Sequence, residues 1–476
     1  MSTDTHAAKP PNKGLLLAIV LASYSMIVID NSIVITGLPA IRTGLGFSAA
    51  GLSWVQNAYT LAFGGLMLLG ARAGDLIGRR RVFNIGLAIF TLASLAIGLA
   101  ASPAWLISAR AVQGVGAAIL APSTLALLAT GFAEGPERNG ALGWYGAIGG
   151  ITASVGLVIG GLVADLVSWR AGFFINVPIG LLLIWAAHRH IEETPRHTGR
   201  FDLIGAATST LGMVALVYGL VHAAEQSWAH WGTAGSLAAG VLLLALFFWN
   251  ESRAAQPILP LRLFASRERA GAHAARVLFV GGVMGFFFYA TQYLQGVLGM
   301  RPLWAGIAFF PSMLVNFLGA MVAPRLVKRF GNGPVAAGAL AISTVGMFWL
   351  GRLGADTPFL TGVALPMLLI GAGMGASLAS LTIAGVSGVA REDAGSASGL
   401  VGVAHQLGGA LGLAVLVVAF AMASPSVGAD APAELAHRIG FALSTGAVML
   451  ASALLIVLLF IVRRPAPAAA VTRSTG

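Results

Sequence analysis

One acidic side chain, Asp30, lies about two-thirds of the way along an otherwise apolar segment near the N-terminus. The other acidic residues map to predicted loops or to the ends of apolar segments. If this segment crosses a membrane, a charged carboxylate at that depth costs roughly 2.5 kcal/mol or more. Because burial disfavours the charged form, the carboxyl can bind a proton and couple that binding to a conformational change. A neutral, hydrogen-bonded structural aspartate is the alternative.

One basic side chain, Arg110, is also placed clearly within an apolar segment. Exposure of its guanidinium to lipid is too costly, so it must face a cavity or a partner. It can pair with Asp30, and protonation of that carboxyl would then release the pair. Gln113 lies three residues further on the same helix face and can extend a polar path. The alternative is an arginine that binds backbone carbonyl groups near the outer end of its helix.

Polar and aromatic side chains within the apolar segments are candidates for lining a substrate cavity. Each of them also suits a hydrogen bond between two helices, which is the alternative role. The candidates are Asn31, Asn57, Tyr59, Gln113, Tyr289, Gln292, Asn316 and His405.

The sequence contains no pattern typical of an enzyme or a metal site. Cysteine is absent, which excludes disulfides, thiolate metal sites and cysteine nucleophiles. No zinc-type spacing of histidines and no GxxxxGK[ST] phosphate loop occurs, so metal binding and transport driven by ATP from this chain are not expected. We therefore expect no catalytic residue and no cofactor.

The composition identifies the elements that must position these side chains. Hydrophobic types make up 57% of the 476 residues and charged types only 9%, compared with about 25% charged in ordinary soluble domains. These values predict a polytopic membrane protein rather than several soluble domains. Segments of about 20 apolar residues can cross a bilayer as helices, and fourteen are present, at 14–38, 51–70, 82–101, 104–130, 141–164, 171–188, 203–222, 233–250, 272–296, 303–323, 334–352, 359–386, 397–422 and 440–462.

The distribution of basic residues orients these segments. If the N-terminus is cytoplasmic and every segment crosses, 22 of the 28 Lys and Arg residues lie on the cytoplasmic side, five lie outside and Arg110 lies within a span. This asymmetry agrees with the positive-inside rule and predicts two cytoplasmic termini. It also accounts for the net charge of +11, so no nucleic-acid partner is expected.

Two pairs of loops suggest an internal repeat. ARAGDLIGRRRV (71–82) corresponds to APRLVKRFGNGP (323–334), and PERNGALG (136–143) corresponds to REDAGSASG (391–399). The correspondence requires two extra helices between six-helix halves, as in transporters built from repeats. The predicted organisation is a cytoplasmic tail (1–13), a six-helix bundle (14–190), a linker with two extra helices (191–270), a second six-helix bundle (271–462) and a second cytoplasmic tail (463–476).

Five motifs resemble those of the major facilitator superfamily, and in particular its 14-spanner drug:proton antiporters. GDLIGRRR (74–81) resembles the loop signature and RAVQGVGAA (110–118) the fourth-span signature. VIDNSIVITGLPAI (28–41) resembles the first-span signature of the antiporters, and WVQNAYTLA (54–62) and SWRAGFFINVPIG (168–180) are similar to the same subfamily. Two positions depart from the pattern: Ala71 replaces the usual glycine, and Leu157 replaces the proline of the fifth-span antiporter motif.

The resemblance implies an all-α polytopic membrane protein with the major facilitator fold, in which two six-helix bundles and two linker helices give 14 transmembrane helices. It associates Arg110 with proton transfer. We interpret the 71–81 loop as a conformational latch, with glycine turns and an aspartate that caps a helix or pairs with arginine, formed by Gly74, Asp75, Gly78, Arg79 and Arg80. Glycines at GxxxG spacing predict close helix packing in the fifth span, at Gly146, Gly150, Gly156, Gly160 and Gly161.

These observations predict a secondary transporter of a bacterial cytoplasmic membrane that exports hydrophobic or amphipathic compounds in exchange for protons, by alternating access. Export of an endogenous metabolite, a lipid or a self-made antibiotic is the alternative within transport. A non-transporting membrane sensor is a distant alternative, because no soluble signalling domain is recognised. The expected partners are an amphipathic small molecule, protons and the lipid bilayer, and the expected state is a monomer. The substrate's charge stays open between neutral, monocationic and anionic compounds.

Overall fold

The computed structural model describes residues 13–194, 196, 201–254, 256–390, 393–424 and 430–462. These residues form helices joined by short connections, and no β-strand occurs among them. The helices are α1 (Lys13–Leu45), α2 (Trp54–Ile77), α3 (Arg79–Gly98), α4 (Pro103–Gly131), α5 (Pro136–Leu166), α6 (Trp169–Phe174), α7 (Asn176–His190), α8 (Leu203–Glu225), α9 (Trp231–Glu251), α10 (Arg267–Gly296), α11 (Pro302–Phe330), α12 (Asn332–Leu350), α13 (Leu365–Gly385), α14 (Ala394–Met422) and α15 (Ala431–Phe460).

Fourteen helical segments in the described part of the chain are long and apolar enough to cross a membrane. Helices α6 and α7 together make one of these segments, which is interrupted at Ile175. A 3-10 turn at Gly51–Ser53 extends α2, and a π-helical turn at Phe359–Ala364 extends α13. The predicted all-α architecture with fourteen spans is confirmed. The predicted tails, apart from Lys13, lie outside the described residues.

Several predicted boundaries are wrong because helices continue past the hydrocarbon. The predicted connection at 423–439 is largely helical, since α15 begins at Ala431. The predicted 71–81 loop is almost entirely helix, because α2 continues to Ile77 and α3 begins at Arg79. An apolar window measures the thickness of the bilayer core, whereas a helix can extend into water on polar residues.

Glycines with positive φ occupy matched positions in the two predicted halves. Gly78 (φ 114°) separates α2 from α3, and Gly331 (φ 86°) separates α11 from α12. Gly135 (φ 107°) directly precedes α5, whereas Gly388 (φ 63°) lies further from the start of α14, so these two glycines lie near the second pair of loops without matching in position. A side chain is strained at such φ values, so glycine is the residue that permits these turns. The matched turns support the predicted repeat, and the exact domain boundaries stay a prediction.

Two glycine contacts join α5 to α11 near the C-terminal end of α5. A Cβ atom on Gly161 would lie 2.4 Å from the carbonyl oxygen of Pro302, and a Cβ atom on Gly306 would lie 2.4 Å from that of Leu157. Both distances are far below van der Waals contact, so only hydrogen fits at either position. The backbones of α5 and α11 therefore touch at this end, as expected of small-residue helix interfaces.

The glycine contacts of α5 differ along the helix. Asp165 and Arg301 form an ion pair at 3.0 Å beside the glycine contacts with α11, and Gly150 contacts the ring of Phe317 further along. Beyond that point, no atom lies within 4 Å of a Cβ placed on Gly146, so the predicted close packing at this glycine is wrong. With the predicted topology, the close backbone contacts lie on the outer side and Gly146 lies on the cytoplasmic side.

The second seam between the halves contains a linker helix. Helix α2 meets α14 directly, since a Cβ on Gly64 would lie 2.7 Å from Gln406. Helix α8 packs against both of them in one apolar cluster, while α9 packs on α8. The cluster contains Leu61, Met213, Val217, Val221, Ala410 and Ala414. The linker therefore covers the α2–α14 seam and leaves the α5–α11 seam free of extra helices.

We predict that Gly161→Ala lowers the thermal stability of the purified protein, because the added Cβ displaces the backbone of α11. Overpacking of this kind costs about 1–3 kcal/mol. Gly146→Ala on the same helix is the matched control, since its Cβ meets no atom within 4 Å and alanine raises helix propensity by about 1 kcal/mol. Melting temperatures in detergent compare the two variants. Equal melting temperatures would contradict the assigned contact.

Candidate functional site

Asp30 lies on α1 in a fully buried cluster of hydrogen-bond donors. One carboxylate oxygen, Oδ2, accepts a hydrogen bond from Arg110 Nη1 at 2.8 Å. The other, Oδ1, accepts from Gln113 Nε2 and from Asn176 Nδ2, each at 2.8 Å. Arg110 and Gln113 come from α4 and Asn176 from the first turn of α7. The three donors compensate the charge and lone pairs of a carboxylate that water does not reach.

The guanidinium of Arg110 is likewise held from several sides. Its Nε donates to the carbonyl oxygen of Val55 at 2.9 Å, and Nη1 also donates to Gln113 Oε1 at 2.6 Å. The ring of Tyr59 lies beneath it, with 4.2 Å from the guanidinium carbon to the ring centroid. The arginine therefore pairs with Asp30 and also binds a backbone carbonyl, so both roles considered from the sequence are present.

The buried pair is sensitive to the loss of either charge. Gln113 Nε2 and Asn176 Nδ2 both contact Ser94 Oγ, at 2.9 and 3.3 Å, so four helices meet around Asp30. Removing one partner of a buried ion pair leaves an uncompensated charge and costs about 3–5 kcal/mol. Protonation of Asp30 has the same electrostatic effect as removing its charge. A proton on this carboxyl therefore weakens the contact between α1 and α4.

A central cavity of about 470 Å³ lies beside this network. Asn31, next to Asp30, lines the cavity and accepts a hydrogen bond from Gln56 Nε2 at 3.1 Å. His405 of α14 lines it from the other half of the chain. Neither Asp30 nor Arg110 is among the lining residues. The ion pair and the cavity are thus adjacent but separate.

Six of the predicted cavity residues are not among those that line this cavity. Tyr289 donates its hydroxyl to the carbonyl oxygen of Leu416, and Gln292 donates to its own helix at Phe288. The six positions outside this lining are Asn57, Tyr59, Gln113, Tyr289, Gln292 and Asn316. Only Asn31 and His405 of the predicted set are lining residues.

Several lining residues were missed by the sequence-based prediction. Tyr24 and Tyr145 stack with 4.0 Å between their ring centroids and form one aromatic wall. Gln56 and Gln406 add amide groups from α2 and α14. Arg276 was assigned to the cytoplasmic surface, whereas it lies inside α10 with 4% of its surface exposed. An arginine at the start of a long apolar run was the signal that could have identified it.

The predicted latch has a different internal geometry from the one expected. Gly74 lies within α2 and forms no turn, so Gly78 alone provides the turn between α2 and α3. Asp75 pairs with Arg79 at 3.2 Å and does not cap α3. Arg79 Nη1 also donates to the carbonyl oxygen of Ala126 at 2.9 Å, which connects the start of α3 to α4.

The cap of α3 is instead the carboxylate of Glu193, which lies after α7. It accepts hydrogen bonds from the backbone amides of Arg80 and Arg81 at 3.1 and 3.2 Å. A carboxylate at this position satisfies free amide groups and complements the helix dipole. Arg80 Nη1 returns a hydrogen bond to the carbonyl oxygen of Ile191. The arginines of the motif therefore connect α3 to the end of the first bundle.

The linker contacts both halves near the same end of the molecule. Arg72 of α2 donates to Gln256 Oε1 at 2.9 Å. Arg262, in the 3-10 turn Leu261–Ala265, makes two hydrogen bonds to the Asp393 carboxylate at 2.8 and 2.7 Å. Asp393 directly precedes α14. These contacts hold the start of α14 beside the end of α2.

We predict that the Arg262–Asp393 contact stabilises the protein only while Asp393 is ionised. The hydrogen bonds from Arg262 lower the pKa of the Asp393 carboxyl. A lowered folded-state pKa contributes stability above the unfolded value, about 3.9, and the contribution is lost as pH falls through the folded-state pKa. The melting temperature of Asp393→Asn should lie below that of the wild type at pH 7 and converge with it towards acidic pH. A pH-independent difference would contradict this assignment.

The sequence pattern of the Major Facilitator Superfamily matches residues 20–413. Among curated relatives, the cephamycin export protein CmcT of Amycolatopsis lactamdurans is 40% identical over 94% of this chain and 93% of its own length. The puromycin resistance protein pur8 of Streptomyces alboniger is 40% identical, covering 85% of this chain and 81% of the relative. The tetracenomycin C resistance and export protein of Streptomyces glaucescens is 36% identical, and the match covers 91% of this chain and 83% of the relative.

Solved structures support the same fold at lower identity. A bacterial homolog of the human lysosomal transporter Spinster, in an inward-facing and unoccupied conformation, superposes with a TM-score of 0.68. It covers 97% of this chain and 100% of the other chain at 17% sequence identity, which is evidence for the fold alone. The extent of the family match, together with the identity to full-length relatives, establishes that this chain belongs to the major facilitator superfamily.

Proposed function

We propose that this protein exports amphipathic compounds from a bacterial cytoplasm in exchange for protons. The observation that carries the proposal is the Asp30–Arg110 pair, a carboxylate and a guanidinium 2.8 Å apart, with both side chains sealed from water. It lies next to a cavity of about 470 Å³ that suits a small amphipathic molecule. Relatives named as export or resistance proteins for cephamycin, puromycin and tetracenomycin C support export of antibiotics.

The proposed cycle uses the two charge states of Asp30. In the form described here, the outer ends of α5 and α11 are in close contact, so substrate enters from the cytoplasm while Asp30 is paired with Arg110. The loaded transporter then opens to the outside, where substrate leaves and a proton from outside neutralises the Asp30 carboxyl. Protonation weakens the contact of α1 with α4 and favours return to the form that is open to the cytoplasm. Release of the proton to the cytoplasm restores the pair and resets the transporter.

The proposed location is the cytoplasmic membrane, with both termini in the cytoplasm. The even number of candidate spans supports two ends of the chain on one side, and the asymmetry of Lys and Arg supports a cytoplasmic location for that side. In that orientation the linker contacts of Arg72 and Arg262 lie at the cytoplasmic end.

We predict that Asp30→Asn abolishes substrate-dependent proton flux while the protein still folds. The amide keeps the shape and several hydrogen bonds of the carboxyl but cannot carry a proton. Proteoliposomes containing a pH-sensitive dye and an imposed pH gradient measure the flux after addition of cephamycin, puromycin or tetracenomycin C. Glu134→Gln, which alters a carboxylate that is largely exposed, is the control and should transport normally. Full coupling in Asp30→Asn would exclude Asp30 as the coupling acid.

We also predict that Arg110→Gln is more destabilising than the double variant Asp30→Asn with Arg110→Gln. The single variant leaves a buried carboxylate without its cation, at a cost of about 3–5 kcal/mol, whereas the double variant buries two neutral amides. Melting temperatures in detergent test the order, and neither variant should show coupled transport in the liposome assay. A double variant as unstable as Arg110→Gln would mean that the charge of Asp30 is not what Arg110 balances.

A further inference from the structure

Arg276 is a buried cation of the central cavity that the proton cycle does not use. It lies within α10, in the second half of the chain, and 4% of its surface is exposed. Both of its hydrogen bonds to described residues leave from Nη2, to the carbonyl oxygen of Leu378 and to Thr382 Oγ1. Its Nε, although buried, has no hydrogen-bond partner in the described part of the chain. A guanidinium has five N–H donors, so this one retains donors for another acceptor.

No carboxylate of the cavity balances this charge. Among the residues that line the cavity, Arg276 is the one Lys or Arg, and none of them is Asp or Glu. The nearby acid, Asp30, lies outside the lining and is already paired with Arg110. His405, which also lines the cavity, lies close enough to Arg276 to be affected by its charge. The residues that line the cavity therefore carry a net positive charge.

The remaining lining residues suit the apolar part of a ligand. Tyr24 and Tyr145 stack to form an aromatic surface. Met284, Phe287 and Met313 add flexible and aromatic apolar groups from α10 and α11. Thioether side chains adapt to ligands of different shapes. The cavity thus combines one localised cation with adaptable apolar walls.

We propose that the cavity selects amphipathic compounds that carry one anionic group, a carboxylate or an equivalent oxyanion, which pairs with Arg276 while the apolar body contacts the opposite wall. This inference rests on the proposed export function and adds the charge of its substrates. A planar guanidinium with free N–H groups matches the geometry of a carboxylate, and the interaction is strengthened where water is excluded. A cationic compound would instead place two positive charges in the same cavity without a counter-ion.

Binding of three dansyl compounds of similar size tests the proposal: dansylglycine, which is anionic, dansylglycinamide, which is neutral, and dansyl-ethylenediamine, which is cationic. Fluorescence titration of the purified full-length protein in detergent gives each Kd without a proton gradient. We expect dansylglycine to bind about tenfold more tightly than the amide or better, as a charge-assisted hydrogen bond predicts, and the cation to bind most weakly. Equal affinities of the wild-type protein for the anion and the amide would overturn the proposal. This result does not depend on whether any variant folds.

Variants then assign the preference to Arg276. Arg276→Gln should remove most of the difference between dansylglycine and dansylglycinamide, and Arg276→Lys should retain part of it. Arg269→Gln is the matched control, because Arg269 lies on the same helix and likewise makes two hydrogen bonds, in its case to the backbone carbonyl groups of Leu263 and Ser387 outside the cavity. It should keep the full preference. A full preference in Arg276→Gln would overturn the assignment.

Transport assays separate this proposal from the one on which it rests. Export of dansylglycinamide by Arg276→Gln should remain coupled to the proton gradient, because Asp30 and Arg110 are intact. If the wild type binds the anion preferentially but no gradient drives its export, the proposed function fails and the binding preference stands. If export is coupled to protons but insensitive to the charge of the probe, the proposed function stands and the anion preference fails.

Discussion

The exclusion of water from a carboxylate and a guanidinium is the constraint on which the rest of this structure depends. A charged Asp30 can exist in the membrane interior only with its charge and lone pairs satisfied, and Arg110, Gln113 and Asn176 supply those partners from two other helices. Helices α1, α4 and α7 are therefore held together by a contact whose strength depends on one proton. In the proposed cycle, the pair makes helix arrangement and protonation interdependent, whereas an apolar core at the same place would pack as well without binding a proton.

The two seams between the halves of the chain differ in how their helices are held together. At the α5–α11 seam, Gly161 and Gly306 let backbones touch at one end, while Gly146 near the other end of α5 has no close neighbour. At the two glycine contacts the helices can separate and close without repacking large side chains, because only hydrogen atoms lie between the backbones there. At the α2–α14 seam, α8 adds an apolar layer that contacts both halves, and the linker adds polar contacts through Arg72 and Arg262. We interpret the linker helices as a support on one side of the cavity that leaves the other side free to open.

The charges of the two halves are arranged differently. In the first half, Asp30 and Arg110 form an ion pair outside the cavity. In the second half, Arg276 lines the cavity, and no carboxylate is among the lining residues. This separation gives the proposed proton site and the proposed substrate site independent chemistry: in the proposed cycle the first changes its charge, and the second keeps it. In the proposed cycle, coupling between them passes through neighbouring residues such as Asn31, which lines the cavity directly beside Asp30.

The sequence by itself determined the number of spans and the buried acid and base, since these depend on the length of apolar runs and on the cost of charge in hydrocarbon. It also predicted the turn at Gly78, whereas Gly74, predicted as a second turn, lies within α2. Only the tertiary structure decided which polar side chains face the cavity. Asn31 and His405 line it, whereas Tyr289 and Gln292 bind backbone carbonyl groups, and no sequence period distinguishes the two outcomes in helices that are apolar on every side. Arg276 is a second example. The predicted topology places it on the cytoplasmic side, and only the packing of the surrounding helices shows that it is a buried cation.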